Sequence, residues 1–160
     1  MISPELLHPI VIHFPLVLLT LAIAIDLWVL IRGGDLSAHK GLALVGLWSL
    51  VLGTLSAGLA AAFGDIAADI AVGRGFSEAP IENHETMALT ALAIFVGYTG
   101  IRLVAWWKSV SLAAPRGWLA AGLGLAGTAV LITAAYYGGE LVYGLGINVA
   151  HAATAIATAG

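Results

Sequence analysis

Apolar residues run almost unbroken through four stretches of this chain: Ile10 to Ile31, Leu42 to Phe63, Met87 to Trp107 and Trp118 to Tyr137. Each holds about 20 residues, the length at which a helix rising 1.5 Å per residue crosses a hydrocarbon layer of about 30 Å. Breakers and polar residues fall between them. Gly33-Gly34-Asp35 interrupts the first joint, and a longer polar stretch, Arg74 to Asn83, fills the second. Ala114-Pro115-Arg116-Gly117 turns into the fourth run, and Gly138-Gly139 closes it. Short joints between neighbouring helices predict an all-α fold, an integral membrane four-helix up-down-up-down bundle. One membrane domain over 1–160 is expected, with spans at about 5–32, 41–64, 82–107 and 117–138. The apolar tail 147–159 reads as a re-entrant or interfacial helix, or as a contact for a partner.

The first span carries its own signals. Ser3-Pro4-Glu5 is a helix start, with a serine cap, a proline in the first turn and an acid at the positive dipole end. Pro9 and Pro15 then leave the carbonyls of Glu5 and Val11 short of a donor. That is either a tolerated kink or a device that aims His13 at the bundle axis. Small residues in the second span (Gly46, Gly53, Ser56, Gly58) and the fourth (Gly122, Gly124, Gly127) suit close helix packing.

Composition strengthens the membrane reading. Of 160 residues 61% are hydrophobic and 9% charged, against about 25% charged in soluble domains. Lipid is the expected solvent and a partner of most of the surface. A net charge of −3 without a basic tract excludes nucleic acid as a partner. The absence of cysteine removes disulfides, thiolate metal sites, iron–sulfur ligation and covalently attached haem from this chain. The first charge is Glu5 rather than a basic group, so the first span is expected to be retained, not cleaved as a signal peptide.

Charge also orients the bundle. Arg32, Lys40, Arg102, Lys108 and Arg116 lie in or beside the two joints on one side, and only Arg74 lies on the other. The positive-inside rule then predicts a bacterial inner (cytoplasmic) membrane protein with both termini in the periplasm. Trp28, Trp106, Trp107 and Trp118 fall near the basic boundary, and Tyr136, Tyr137 and Tyr143 near the other.

That topology gathers the chemistry at one end. His8, His13 and His84 meet there with Asp65, Glu82 and Glu140, and His151 follows. Ionisable groups near spans are costly and usually face the bundle interior. His13 lies about 5 Å inside the first apolar run, and His84 precedes the third by three residues. His13 and His84 are the expected facing pair. His8 is the reserve, because it stands about 140° from His13 on an ideal helix. Three readings stay open: polar caps meeting water, a haem b held by two axial histidines, or a copper or zinc ion on histidine and carboxylate. In the haem reading a carboxylate or a carbonyl holds each distal imidazole N–H, and Asp65, Glu82 and Glu140 are available for that; Glu140 either orients a histidine or caps the turn before Tyr143. No serine or cysteine nucleophile suggests itself, so the chain is not expected to be an enzyme on its own. His39 reads as solvated. Asp26 is expected in an internal ion pair with Arg32 or Arg102.

The opening Leu7-His8-Pro9-Ile10-Val11-Ile12-His13-Phe14-Pro15, followed by Asp26, resembles that of a bacterial membrane family known as domain of unknown function 2231. Gly64-Asp65, His84 and the closing Gly138-Gly139-Glu140-Leu141-Val142-Tyr143 are similar too, so the resemblance covers nearly the whole chain. It implies four membrane helices. Some members are joined to, or occur beside, Rieske-type iron–sulfur domains, which implies electron transfer by a small b-type redox subunit with other membrane subunits or a periplasmic redox partner. The alternative is a structural subunit of a larger complex.

Overall fold

The computed structural model describes residues 7–147. Ser3-Pro4-Glu5, His151 and the tail after Ile147 lie outside the described residues. Most of the described residues are helical: α1 (Leu7–Val11), α2 (His13–Ile31), α3 (Gly41–Gly73), α4 (Glu78–Trp107), α5 (Arg116–Gly139) and a π-helical turn, Glu140–Gly144. Four stretches are long and apolar enough to cross a membrane: Leu7–Ile31, Gly41–Gly73, Glu78–Trp107 and Arg116–Gly144. The protein is an all-α membrane bundle.

The two N-terminal prolines leave a visible mark. Pro15 cannot donate to Val11, and regular helix is interrupted at Ile12. Ile12 keeps helical angles (φ −59°, ψ −23°), and its N–H still bonds the His8 carbonyl at 3.0 Å. The helix axis therefore continues from α1 into α2 with a local irregularity between His8 and His13.

Packing follows the chain around a ring: α2 against α3, α3 against α4, α4 against α5, and α5 back against α2. Leu19, Ile23, Leu50, Phe95, Tyr98 and Leu131 fill the centre. Gly53 lets α2 and α3 approach, since a Cβ there would stand 2.8 Å from Leu19 Cδ2. Phe14, Leu55, Trp107 and Leu119 point outward, as suits an apolar solvent.

α3 has 33 residues and α4 has 30, so they run about 50 and 45 Å. Both exceed a hydrocarbon layer of about 30 Å. The α3–α4 hairpin continues past the apolar runs at the histidine end and turns over residues 74–77. Its inner side is apolar: Ala71 and Ile81 are buried together with Ile147, which follows the π turn.

The other end is held by polar contacts. Asp35 accepts hydrogen bonds from the Ser37 N–H (2.8 Å) and hydroxyl (2.6 Å), the Ser111 hydroxyl (2.6 Å) and the Leu112 N–H (2.9 Å). One carboxylate thus joins the two loops. Burial pushes its pKa up, but these four donors outweigh that and hold it at about 2. Deeper in the bundle, Asp26 of α2 and Arg102 of α4 form a fully buried ion pair. Tyr98 donates to Asp26 Oδ2 at 2.6 Å, and Arg102 Nη2 donates to the carbonyls of Leu36 and Ala43 at 3.0 and 3.1 Å. Of the two candidates for Asp26, the partner is Arg102. Gly46 makes room for it, because a Cβ there would lie 2.8 Å from Asp26 Oδ1.

Candidate functional site

At the histidine end the helices enclose a cavity of about 380 Å³. Leu16, Leu19, Ala88, Leu92, Phe95 and Leu131 give it apolar walls. His8 and His84 enter it from α1 and α4. Their ring centroids are 6.1 Å apart and their planes cross at 83°.

The two imidazoles are held in the same way. His8 Nδ1 donates to the Ala60 carbonyl at 2.8 Å, and His84 Nδ1 to the Ala134 carbonyl at 2.9 Å. A carbonyl only accepts, so each Nδ1 carries the proton. The nitrogen left with a free lone pair is Nε2 on both rings, the form in which a neutral imidazole ligates a metal.

Each carbonyl lies one helical turn before a glycine. Ala60 precedes Gly64 in α3, and Ala134 precedes Gly138 in α5. Helical Cβ atoms lean toward the N-terminus, so a side chain at either glycine would stand over the carbonyl one turn back. A Cβ on Gly64 would lie 3.1 Å from His8 Cε1 and Nδ1, and one on Gly138 would lie 3.0 Å from His84 Cε1. The glycines are the openings through which the imidazoles reach the backbone.

The bundle thus pairs His84 with His8. His13 also lines the cavity, despite the angle expected on an ideal helix, but its side chain is exposed. Asp65 lines the wall and is exposed, and Glu82 is exposed on the hairpin. Glu140 accepts from the Tyr136 hydroxyl at 2.7 Å, and its carbonyl accepts from the Leu145 N–H at 3.1 Å. Of the two kinds of acceptor expected for the imidazole N–H groups, carboxylate or carbonyl, the bundle uses backbone carbonyls. Among the described residues, no three His, Asp or Glu side chains are grouped as ligands for a metal ion.

A family model described as a predicted membrane protein, DUF2231, matches residues 4–151. The chain belongs to that family. No curated protein and no solved structure matches it. The matched region of this DUF2231 member takes in both histidines, both glycines and the Asp26–Arg102 pair.

Sequence reasoning allowed a carbonyl as the imidazole's partner but did not point to Ala60 or Ala134, and it missed the part played by Tyr98. The carbonyls carry no side-chain signal of their own. An indirect one was present: Gly64 and Gly138 each follow an alanine-rich turn at the end of an apolar run. His39 lies at the opposite end, its ring 5.2 Å from that of Trp106 and exposed as expected.

Proposed function

We propose that this DUF2231 protein is a small membrane redox subunit that holds a b-type haem between His8 and His84. The observation that carries the reading is the matched pair of imidazoles, each with Nδ1–H fixed on a carbonyl and Nε2 left as the ligating nitrogen. The ring centroids lie 6.1 Å apart, near enough that His8 and His84 would both hold one iron if haem were bound. The donor set favours haem over a lone copper or zinc ion. Haem supplies four of its own nitrogens and asks the protein for two, whereas tetrahedral zinc asks for three or four. Apolar walls suit the porphyrin.

Haem held there would supply one-electron transfer. The chain's own part is to orient both imidazoles through the Ala60 and Ala134 carbonyls, to exclude water with Leu16, Leu92 and Phe95, and to keep the site at one membrane face. We assign that face to the periplasm of a bacterial inner membrane. Arg102 is buried in its ion pair, so four cations of the basic loops, Arg32, Lys40, Lys108 and Arg116, set the bias against Arg74. A periplasmic redox protein or another membrane subunit is the expected electron partner.

The absorption spectrum of protein purified from membranes, with metal analysis alongside, tests the cofactor. A Soret band lost in His8→Ala and in His84→Ala, and kept in His39→Ala, is expected; a colourless protein that takes up no added haemin sinks the reading. Topology has its own test. A reporter fused after Lys40 should report cytoplasm and one after Gly75 periplasm, and the reverse pattern would invert the assignment.

A further inference from the structure

The wall of the cavity facing the C-terminal end differs in construction from the rest. Elsewhere the wall is α-helix, apart from the interruption at Ile12. Here it is the π turn Glu140–Gly144 and the three residues after it, with Leu141, Val142, Tyr143 and Ile147 on the cavity lining. The backbone bonds that close this segment are local: Leu145 N–H to Glu140 O at 3.1 Å, Gly146 N–H to Val142 O at 3.1 Å and Ile147 N–H to Leu141 O at 2.9 Å. The side-chain bond of Glu140 is local too, to Tyr136 one turn back.

What fastens the segment to the projecting hairpin is a small apolar contact. Ile147, 5% exposed, is buried with Ala71 and Ile81, and Leu141 packs beside them. Gly146 at φ +67° makes the reversal that delivers Ile147 to that seat. Around it the surface is open: Tyr143 is 92% exposed, and Val142 and Leu145 are exposed too. Among the described residues, the segment is internally folded and seated on the hairpin by Ile147 with Leu141 beside it, and a unit seated in that way opens at the low end of the stability range. π turns of this kind recur where a helix must serve a function.

We propose that residues 140–147 form a gate over the histidine cavity, latched by Ile147 between α3 and α4, and that release of the latch admits the cavity's ligand. Opening leaves the bundle intact, because the central cluster around Leu19, Leu50 and Phe95 contains none of the gate residues. His8 and His84 keep their carbonyl partners on α3 and α5 in both states. The identity of the admitted ligand rests on the haem reading; the gate itself does not.

The chain has no cysteine, so a single introduced thiol reports access without background. Ala88→Cys puts one on the cavity wall, where Ala88 is half-buried. In detergent or nanodiscs, its reaction with a membrane-impermeant maleimide should speed up by about tenfold when Ile147→Asp or the milder Ile147→Ala is added. Hydrogen exchange of the unaltered protein needs no variant: amides of 141–147 should exchange at least about tenfold faster than those of the central turns of α5. Equal labelling rates in a correctly helical Ile147 variant, or equal protection of the two segments, would overturn the gate. Haemin uptake separates the two proposals. A protein that binds no haemin but whose labelling responds to Ile147 keeps the gate and loses the haem. One that binds haemin at the same rate with and without Ile147, and labels identically, keeps the haem and loses the gate.

Discussion

Gly64 and Gly138 act at the smallest scale, by having no side chain. A methyl group at either position meets an imidazole at about 3 Å, tighter than ordinary contact, and neither ring can simply swing away without giving up its carbonyl. The imidazole must then choose between a compressed contact and a lost hydrogen bond worth about 1 kcal/mol. Gly64→Ala and Gly138→Ala should therefore leave the helical content and the melting temperature nearly unchanged, since Ala favours helix over Gly by up to about 1 kcal/mol, while weakening haemin affinity or shifting the Soret band. Gly58→Ala, at a site with nothing within 4 Å, is the control. Wild-type titration curves in both variants would mean that the carbonyl anchors do not govern ligation. Asp26 and Arg102 show the opposite economy: both are fully buried, and burial of either alone costs several kcal/mol. Each is tolerable because the other is there, with Tyr98 and two backbone carbonyls taking up further bonds.

At the scale of elements, the loops carry more order than their composition suggests. Residues 32–40 and 108–115 are joined through Asp35, whose carboxyl titrates at about 2 instead of 3.8. Its folded-state pKa is depressed, so the unfolded chain binds the proton more readily. The clamp's contribution is complete above pH 4 or so and is lost as pH falls from 3.8 toward about 2. The contribution is small, because the carboxyl is largely solvated. Protection of the Leu112 amide against hydrogen exchange, corrected for intrinsic rates, should fall through that window and stay flat between pH 5 and 7. In Asp35→Asn the fall should disappear; a fall of the same size in that variant removes Asp35 as its cause. Helix limits were less legible than helix number. The four apolar runs were plain, because membrane spans need long uninterrupted hydrophobicity. The start of α4 at Glu78 was hidden inside the polar stretch Arg74 to Asn83, and the extension of α3 to Gly73 lay beyond the apolar run, where Asp65 and Asp69 interrupt it; past the lipid a helix hairpin needs only a narrow apolar stripe such as Ala67, Ala71 and Ile81. Likewise the gathering of histidines followed from topology alone, but topology does not say which of His8 and His13, about 140° apart on an ideal helix, faces His84.

The whole molecule is two similar halves. In the first, His8 reaches the Ala60 carbonyl over Gly64; in the second, His84 reaches the Ala134 carbonyl over Gly138. Each half is a hairpin of helices that contains a histidine, its acceptor and its glycine, so each is a complete half-site. What joins them is the central cluster, with Leu19, Ile23 and Leu50 from one half against Phe95, Tyr98 and Leu131 from the other, and the Asp26–Arg102 pair that crosses the same boundary. The covalent link over 74–77 is exposed at Arg74, Gly75 and Ser77 and adds only a closed loop of modest entropy. Chains ending at Gly75 and beginning at Phe76, expressed together, should therefore find each other in the membrane and copurify through a tag on one of them. Arg102→Leu in the second chain would leave Asp26 buried and unpaired, at a cost of about 3 kcal/mol or more, and should abolish the association. Leu125→Ala, on the lipid-facing side of α5, should not. If the halves copurify equally well with Arg102→Leu, the ion pair does not hold them together and the apolar cluster alone does. If they fail to associate at all, the connection at 74–77 is needed to bring the two histidines into one cavity.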